Sequence, residues 1–315
     1  MLKEIRNETD ITEFFLLGLA DLLRMKFLFI PLFLVVFLMT LSGNCMIILA
    51  VSLESRLHTP MYFFISNLSF LDICYTSVTV PNILVSTAVS KNTVSFWGCM
   101  AQVYFFTGFA TTECLLLAAM ACDRYVAICI PLRYFTIINK AVCLQLAGYA
   151  WLCGVANGVV QTVFTSRLAL CGHNEIDRMY CEVQPLVKLS CSDTYVNDAL
   201  ATTSAAVFGV SCLVFILISY LFIISAILRI PTKDGQHRAF STCASHITVV
   251  VLYYGALIFM YLLPPSETTK KVDSIVSIIY SILTPFLNPI IYSLRNQEMK
   301  CAMKKVVHCG KVGTC

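Results

Sequence analysis

Seven stretches of this chain are too long and too apolar to fold in water. Residues 27–53, 141–166, 199–228 and 274–294 carry no charge. Residues 61–90 hold only Asp72, 94–122 only Glu113, and 239–266 only His246. A run of about 18 apolar residues is already enough to read as a membrane span. Inside a bilayer no water serves the backbone, so each segment must satisfy its own amides, which selects helix. The fold class expected is all-α: a seven-transmembrane helix bundle. Composition agrees, with 58% hydrophobic and 13% charged residues, about half the charged share of an average soluble domain.

Three parts follow along the chain: an N-terminal tail (1–25), the bundle (26–295), and a C-terminal tail (296–315). After Arg295, Met299, Ala302, Met303 and Val306 recur at helical spacing, with Lys300 and Lys304 turned away. That pattern predicts a short amphipathic helix on the inner leaflet, with Cys301 and Cys309 as candidate palmitoylation positions. The chain start is mixed polar and charged and lacks a small-residue cleavage site. The first span is therefore expected to act as its own insertion signal.

Lysine and arginine orient the bundle poorly. They divide almost evenly between the two sides, and Arg24 and Lys26 oppose the positive-inside rule. Asn7-Glu8-Thr9 is a glycosylation sequon and argues for an extracellular N-terminus. Among sixteen cysteines, Cys99, Cys171, Cys181 and Cys191 lie at the start of the third run and in the long connection after the fourth. With an odd number of spans all four fall outside, where disulfides persist. Their three pairings stay open on sequence alone. The Asp123-Arg124-Tyr125 stretch is then cytosolic.

Asp72 and Glu113 are the acids at membrane depth. An isolated carboxylate there costs at least about 2.5 kcal/mol, so it needs a proton, a partner or an ion. Two readings stand: protonated structural acids, or a shared sodium site completed by Ser and Asn oxygens. The absence of an intramembrane Lys or Arg favours the cation. No other cofactor is expected. The chain has no internal repeat, no paired broken helices and no ring of pore charges, which count against a channel or transporter. It also has no HExxH, GxSxG or phosphate loop, which counts against an enzyme.

Five stretches carry a family resemblance: "GN" at Gly43-Asn44, "LHTPMYFFISNLSFLD" at 57–72, "MACDRYVAICIPLRY" at 120–134, "RAFSTCASHITVV" at 238–250 and "PFLNPIIYSLRN" at 285–296. Together they resemble the olfactory (odorant) receptors, which are rhodopsin-like G-protein-coupled receptors, and the loop at 167–198 is similar to that of the tetrapod-type branch. Departures are small. Cys122 stands where tyrosine is usual, Arg238 where lysine is usual, and "DRMYCE" where "HFFCE" is common.

The resemblance implies disulfides Cys99–Cys181 and Cys171–Cys191. It also implies coupling to the stimulatory olfactory G protein, cyclic AMP production and a ciliary plasma membrane. In the switch it implies, Asp123 restrains Arg124 at rest, and Arg124 swings toward the G protein and Tyr220 on activation. His246 joins Arg124 and Tyr220 in a cytosolic network, while Asn288-Pro289 bends the seventh helix and Tyr292 is its movable polar end.

The ligand is expected in the outer half of the bundle. Helical counting offers Phe106, Thr107, Ala110 and Thr111 on the third helix, and Ser204, Ala205 and Phe208 on the fifth. It adds Tyr254, Leu257, Ile258 and Tyr261 on the sixth, and Ile278 and Ser281 on the seventh. No acid sits in the outer half of the third helix to pair an amine, and no lysine sits in the seventh to form a Schiff base. Such a pocket suits a small neutral volatile held by shape and one hydrogen bond. The partners expected are thus an odorant, a G protein and membrane lipid, with no nucleic acid. The alternative is the same architecture sensing a metabolite outside the nose.

Overall fold

The computed structural model describes residues 12–17, 26–89, 93–170, 174–176, 178–262, 282–295 and 297–307. Eight helices carry the architecture: α1 (Lys26–Leu53), α2 (Pro60–Val89), α3 (Phe96–Cys129), α4 (Lys140–Ser166), α5 (Tyr195–Leu228), α6 (Lys233–Leu262), α7 (Thr284–Arg295) and α8 (Gln297–Val307). Six of them are long and apolar enough to cross a membrane. The described part of the seventh run is its inner half, α7. Together they form the seven-transmembrane bundle, followed by the short helix expected after it.

Local chemistry sets the ends. The Ser95 side chain accepts from Gly98 N at the start of α3, and Asn139 accepts from Val142 N at the start of α4, each satisfying a first-turn donor. Pro131 cannot continue α3, and the chain turns there into Pro131–Arg133 and a short helix, Tyr134–Ile137. The helix therefore runs past the acid–base pair, placing Asp123 and Arg124 inside it, where the apolar run alone had it stop at 122. In α5 the winding changes to a π-helix over Ala205–Val210 before the α-helix resumes at Ser211.

The third helix is the axis. Of its most apolar window 61% is buried, against 22% for α1, so α3 reports on protein and α1 on lipid. Against α4 it packs backbone to backbone. A methyl on Gly154 would sit 2.5 Å from the Gly108 carbonyl and collide with the Thr112 hydroxyl, and one on Gly158 would sit 2.8 Å from the Tyr104 carbonyl. Small residues serve this role in membranes, where close van der Waals contact replaces the hydrophobic drive.

The end of the bundle where α3 begins carries a three-stranded sheet that the sequence does not announce. Strand β1 (Glu13–Leu16) lies between β2 (Thr93–Ser95), antiparallel with Phe14 opposite Val94, and β3 (Glu175–Ile176), parallel with Phe15 opposite Glu175. Phe14 and Leu16 are buried while Glu13 and Phe15 are exposed, the period-2 alternation of a strand. Phe14 stacks on Phe96 at the start of α3, ring centroids 6.3 Å apart. Part of the N-terminal tail is thus fastened over the bundle.

Candidate functional site

Near the C-terminal end of α3 Arg124 is held by its neighbour. Adjacent helix positions do not face each other, so the guanidinium bends back to reach. Nη2 and Nε donate to the same Asp123 oxygen at 2.5 Å and 3.0 Å. The other Asp123 oxygen accepts from the Tyr134 hydroxyl at 2.7 Å, and Asp123 is fully buried. Burial, reinforced by the Asp123 carboxylate, pushes the Tyr134 phenol upward, so it remains a donor at physiological pH. Tyr134 was quoted in the family stretch but given no role; only the turn at Pro131 brings it back to α3.

A second polar group lies nearer the membrane centre. The Tyr220 hydroxyl and His246 Nδ1 are 2.6 Å apart, and His246 Nε2 lies 3.1 Å from the Leu117 carbonyl. The carbonyl can only accept, so Nε2 carries the proton and Nδ1 of the neutral ring accepts from tyrosine. His246 and Tyr220 come together, and their third partner is the α3 backbone. Arg124 is bonded to Asp123 instead.

Deeper still, Asn288 Nδ2 donates to Asp72 at 2.9 Å, joining α7 to α2. Asn44 Nδ2 donates to the Thr40 and Pro285 carbonyls, joining α1 to α7. Four buried oxygens among these elements have no hydrogen-bond partner among the described residues: Asn44 Oδ1, Glu113 Oε1, Asn288 Oδ1 and Tyr292 Oη. Pro289 abuts α1, where a methyl on Gly43 would lie 3.1 Å from its ring. Unspent oxygen acceptors beside two carboxyl groups fit a hard cation or waters. No group of three or more His, Cys, Asp or Glu is placed to hold a metal among the described residues, so such an ion would be bound largely by neutral oxygens.

In the outer half, Phe106 stacks on Tyr180 of the long loop, centroids 4.2 Å apart, and meets Tyr75 of α2 edge-on at 5.1 Å. Thr111 is buried and bonded, through Asn157 of α4, to Ser204 of α5. Asn157 was missed: it is uncharged, and only its position between two other helices reveals it. Tyr253, also missed, donates to the Ala110 carbonyl at 2.9 Å. The neighbouring Tyr254 is buried, its hydroxyl beside the Cys114 thiol. Thr107, Ala110, Phe208 and Leu257 are partly buried, while Ala205 and Ile258 are exposed. Asn7, Cys171, Ile278, Ser281 and the side chain of Tyr261 lie outside what is described.

The long loop is tied down over this half. Cys99 and Cys181 form a disulfide with Cα atoms 5.3 Å apart, one of the two pairs implied by the resemblance. Gln102 Oε1 accepts from Cys181 N at 2.9 Å, reinforcing the tie one turn further along α3. Cys191 is also disulfide-bonded. Beside the first bridge, burial raises the Glu182 carboxyl, opposed by the Arg178 guanidinium.

This arrangement has well-populated kin. The olfactory receptor family profile matches residues 33–309. Human olfactory receptor 5M11 is 48% identical over 301 residues, covering 96% of this chain and 98% of its own. Human olfactory receptor 13D1 is 47% identical, covering 96% and 88%, and mouse olfactory receptor 5AP2 is 44% identical, covering 96% of each. The chain belongs to the olfactory receptor family of G-protein-coupled receptors, membrane proteins that sense odorants and are not enzymes.

Proposed function

We propose that this receptor binds a small neutral volatile among the outer halves of α3, α5 and α6, and that the bound ligand favours a bundle that activates the stimulatory olfactory G protein and raises cyclic AMP. The observation that carries the reading is the pair of hydrogen-bonded groups on the cytosolic half. Asp123, itself bonded by Tyr134, holds Arg124, and His246 holds Tyr220 against α3. Both use partners that can be exchanged when α6 moves, which makes them elements of a two-state switch. Arg124 released from Asp123 gains Tyr220 or the G protein.

The apolar pocket chemistry, with hydroxyls at Thr107, Ser204 and Tyr254, supports a neutral ligand. The oxygens around Asp72 and Glu113 support a sodium ion that steadies the resting bundle. The N-terminus is extracellular and glycosylated at Asn7, Cys171 pairs with Cys191, and the receptor works in the ciliary membrane, with α8 on inner-leaflet lipid.

The test is cyclic AMP in cells expressing the chain, screened against neutral volatiles, with Arg124→Ala alongside. A concentration-dependent rise that the variant loses at equal surface expression is expected. A rise that survives loss of Arg124 would sink the switch.

A further inference from the structure

Where α3, α4 and α5 meet, a short chain of hydrogen bonds ends on one unspent hydrogen. The Thr111 hydroxyl donates to the Thr107 carbonyl at 2.9 Å. With its hydrogen used, it can only accept, and Asn157 Nδ2 donates to it at 2.9 Å. The same nitrogen gives its second hydrogen to Ser204 Oγ at 2.8 Å. The direction is fixed by Thr111: turned over, the amide would present an oxygen to an oxygen with no hydrogen between them.

Ser204 is the exception in this chain. Its oxygen accepts from Asn157, yet its hydroxyl donates to no described residue. The Leu200 carbonyl one turn back, the usual partner of a helical serine, is not used. A hydroxyl that accepts a hydrogen bond is polarised into a better donor. The Ser204 hydroxyl hydrogen is thus a strengthened one.

We propose that Ser204, oriented by Asn157, is the specificity-determining donor of the ligand site. It selects volatiles that offer an acceptor and bring no hydrogen of their own: ketones, aldehydes and esters over alcohols and hydrocarbons of the same shape. The inference rests on the ligand reading above. A carbonyl oxygen satisfies Ser204 completely. An alcohol that does so must also place its own hydroxyl hydrogen, and one left unmet in the largely apolar pocket is costly. A hydrocarbon leaves Ser204 unsatisfied. Asn157 is a positioning residue, and Thr111 holds Asn157 and not the ligand.

The experiment compares medium-chain 2-ketones with the matching secondary alcohols and alkanes in the cyclic AMP assay. It reads the ratio of ketone to alcohol potency within each cell line, so that surface expression cancels. The native receptor should favour ketones about ten-fold, the worth of one net hydrogen bond. Ser204→Ala should bring the ratio near one, and Ser204→Thr should keep it. Asn157→Leu, which frees Ser204 to turn back onto Leu200, should lower it.

A native ratio at or below one, a ratio unmoved by Ser204→Ala, or silence of the whole ketone set overturns the inference. Phe208→Ala and Leu257→Ala distinguish this from failure of the pocket. If they shift every agonist's potency while Ser204→Ala leaves the ratio unmoved, the pocket stands and the selectivity claim falls. If they shift none, the pocket is elsewhere and the claim falls with it.

Discussion

Tyr220 on α5 and Leu117 on α3 are joined through one imidazole ring: the tyrosine hydroxyl donates to His246 Nδ1, and His246 Nε2 donates to the Leu117 carbonyl. Three helices meet at a single fully buried side chain of α6. Replacing it with alanine removes both bonds, each worth about 0.5–1.5 kcal/mol net, and frees the inner half of α6. His246→Ala should therefore raise ligand-free cyclic AMP by about five-fold or more at matched surface expression. Unchanged basal signalling would show that the ring does not restrain the resting bundle.

The Cys99–Cys181 bridge closes a loop across 82 positions, and bonds of this kind contribute about 2–4 kcal/mol. Cys181→Ser should lower the melting temperature of the purified receptor and abolish surface delivery. Cys99→Ser should do the same, and the double variant should be no worse than either single one. Additive losses in the double variant would mean that the two sulfurs act separately.

Gly154 has no room for a side chain. Its Cβ would lie 2.5 Å from the Gly108 carbonyl and against the Thr112 hydroxyl, so α3 and α4 must separate. Gly154→Ala should cost about 1–3 kcal/mol, read as a lower thermal midpoint in detergent. Gly148→Ala on the same helix meets nothing within 4 Å and should leave the midpoint unchanged.

Helix α8 is docked by polar contacts to the turn after α1 and the first turn of α2: Lys305 Nζ donates to Glu54 at 2.6 Å, and the Tyr62 hydroxyl donates to Glu298 at 3.1 Å. The Lys305 hydrogen bond holds the Glu54 carboxyl below its ordinary value. A depressed carboxyl stabilises the folded arrangement above its unfolded value, about 4.3, and that support is lost as pH falls through the lower folded value. Amide exchange across residues 297–307, corrected for intrinsic pH dependence, should stay slow from neutrality to about pH 4.5 and quicken below it. Glu54→Gln should show the acid behaviour at pH 7.

Much of this was legible before any coordinates, and the reason differs by element. Long charge-free runs must be helices, so the bundle follows from composition and length. Where spans begin and end does not, because α3 continues through Asp123 and Arg124 on the strength of a buried acid and its local partners. His246 stood out as the ionisable group of its run, and Tyr220 came only with the family resemblance. Asn157 did not stand out, since an uncharged amide on a helix has meaning only through the Thr111 and Ser204 oxygens it meets. Strand β1 was hidden for a similar reason. Its partners lie roughly 80 and 160 positions away, and four residues carry too little alternation to announce themselves.

The π-helical turn at Ala205–Val210 has one more consequence. It adds winding slack between Ser204 above and Tyr220 below, so a count by 3.6 from one does not find the face of the other. The two ends of α5 are in effect separately adjustable parts. With the ligand at the Ser204 end, as proposed, changes there can accumulate in one turn without rotating Tyr220, and one scaffold can be retuned for new scents while its output stays fixed.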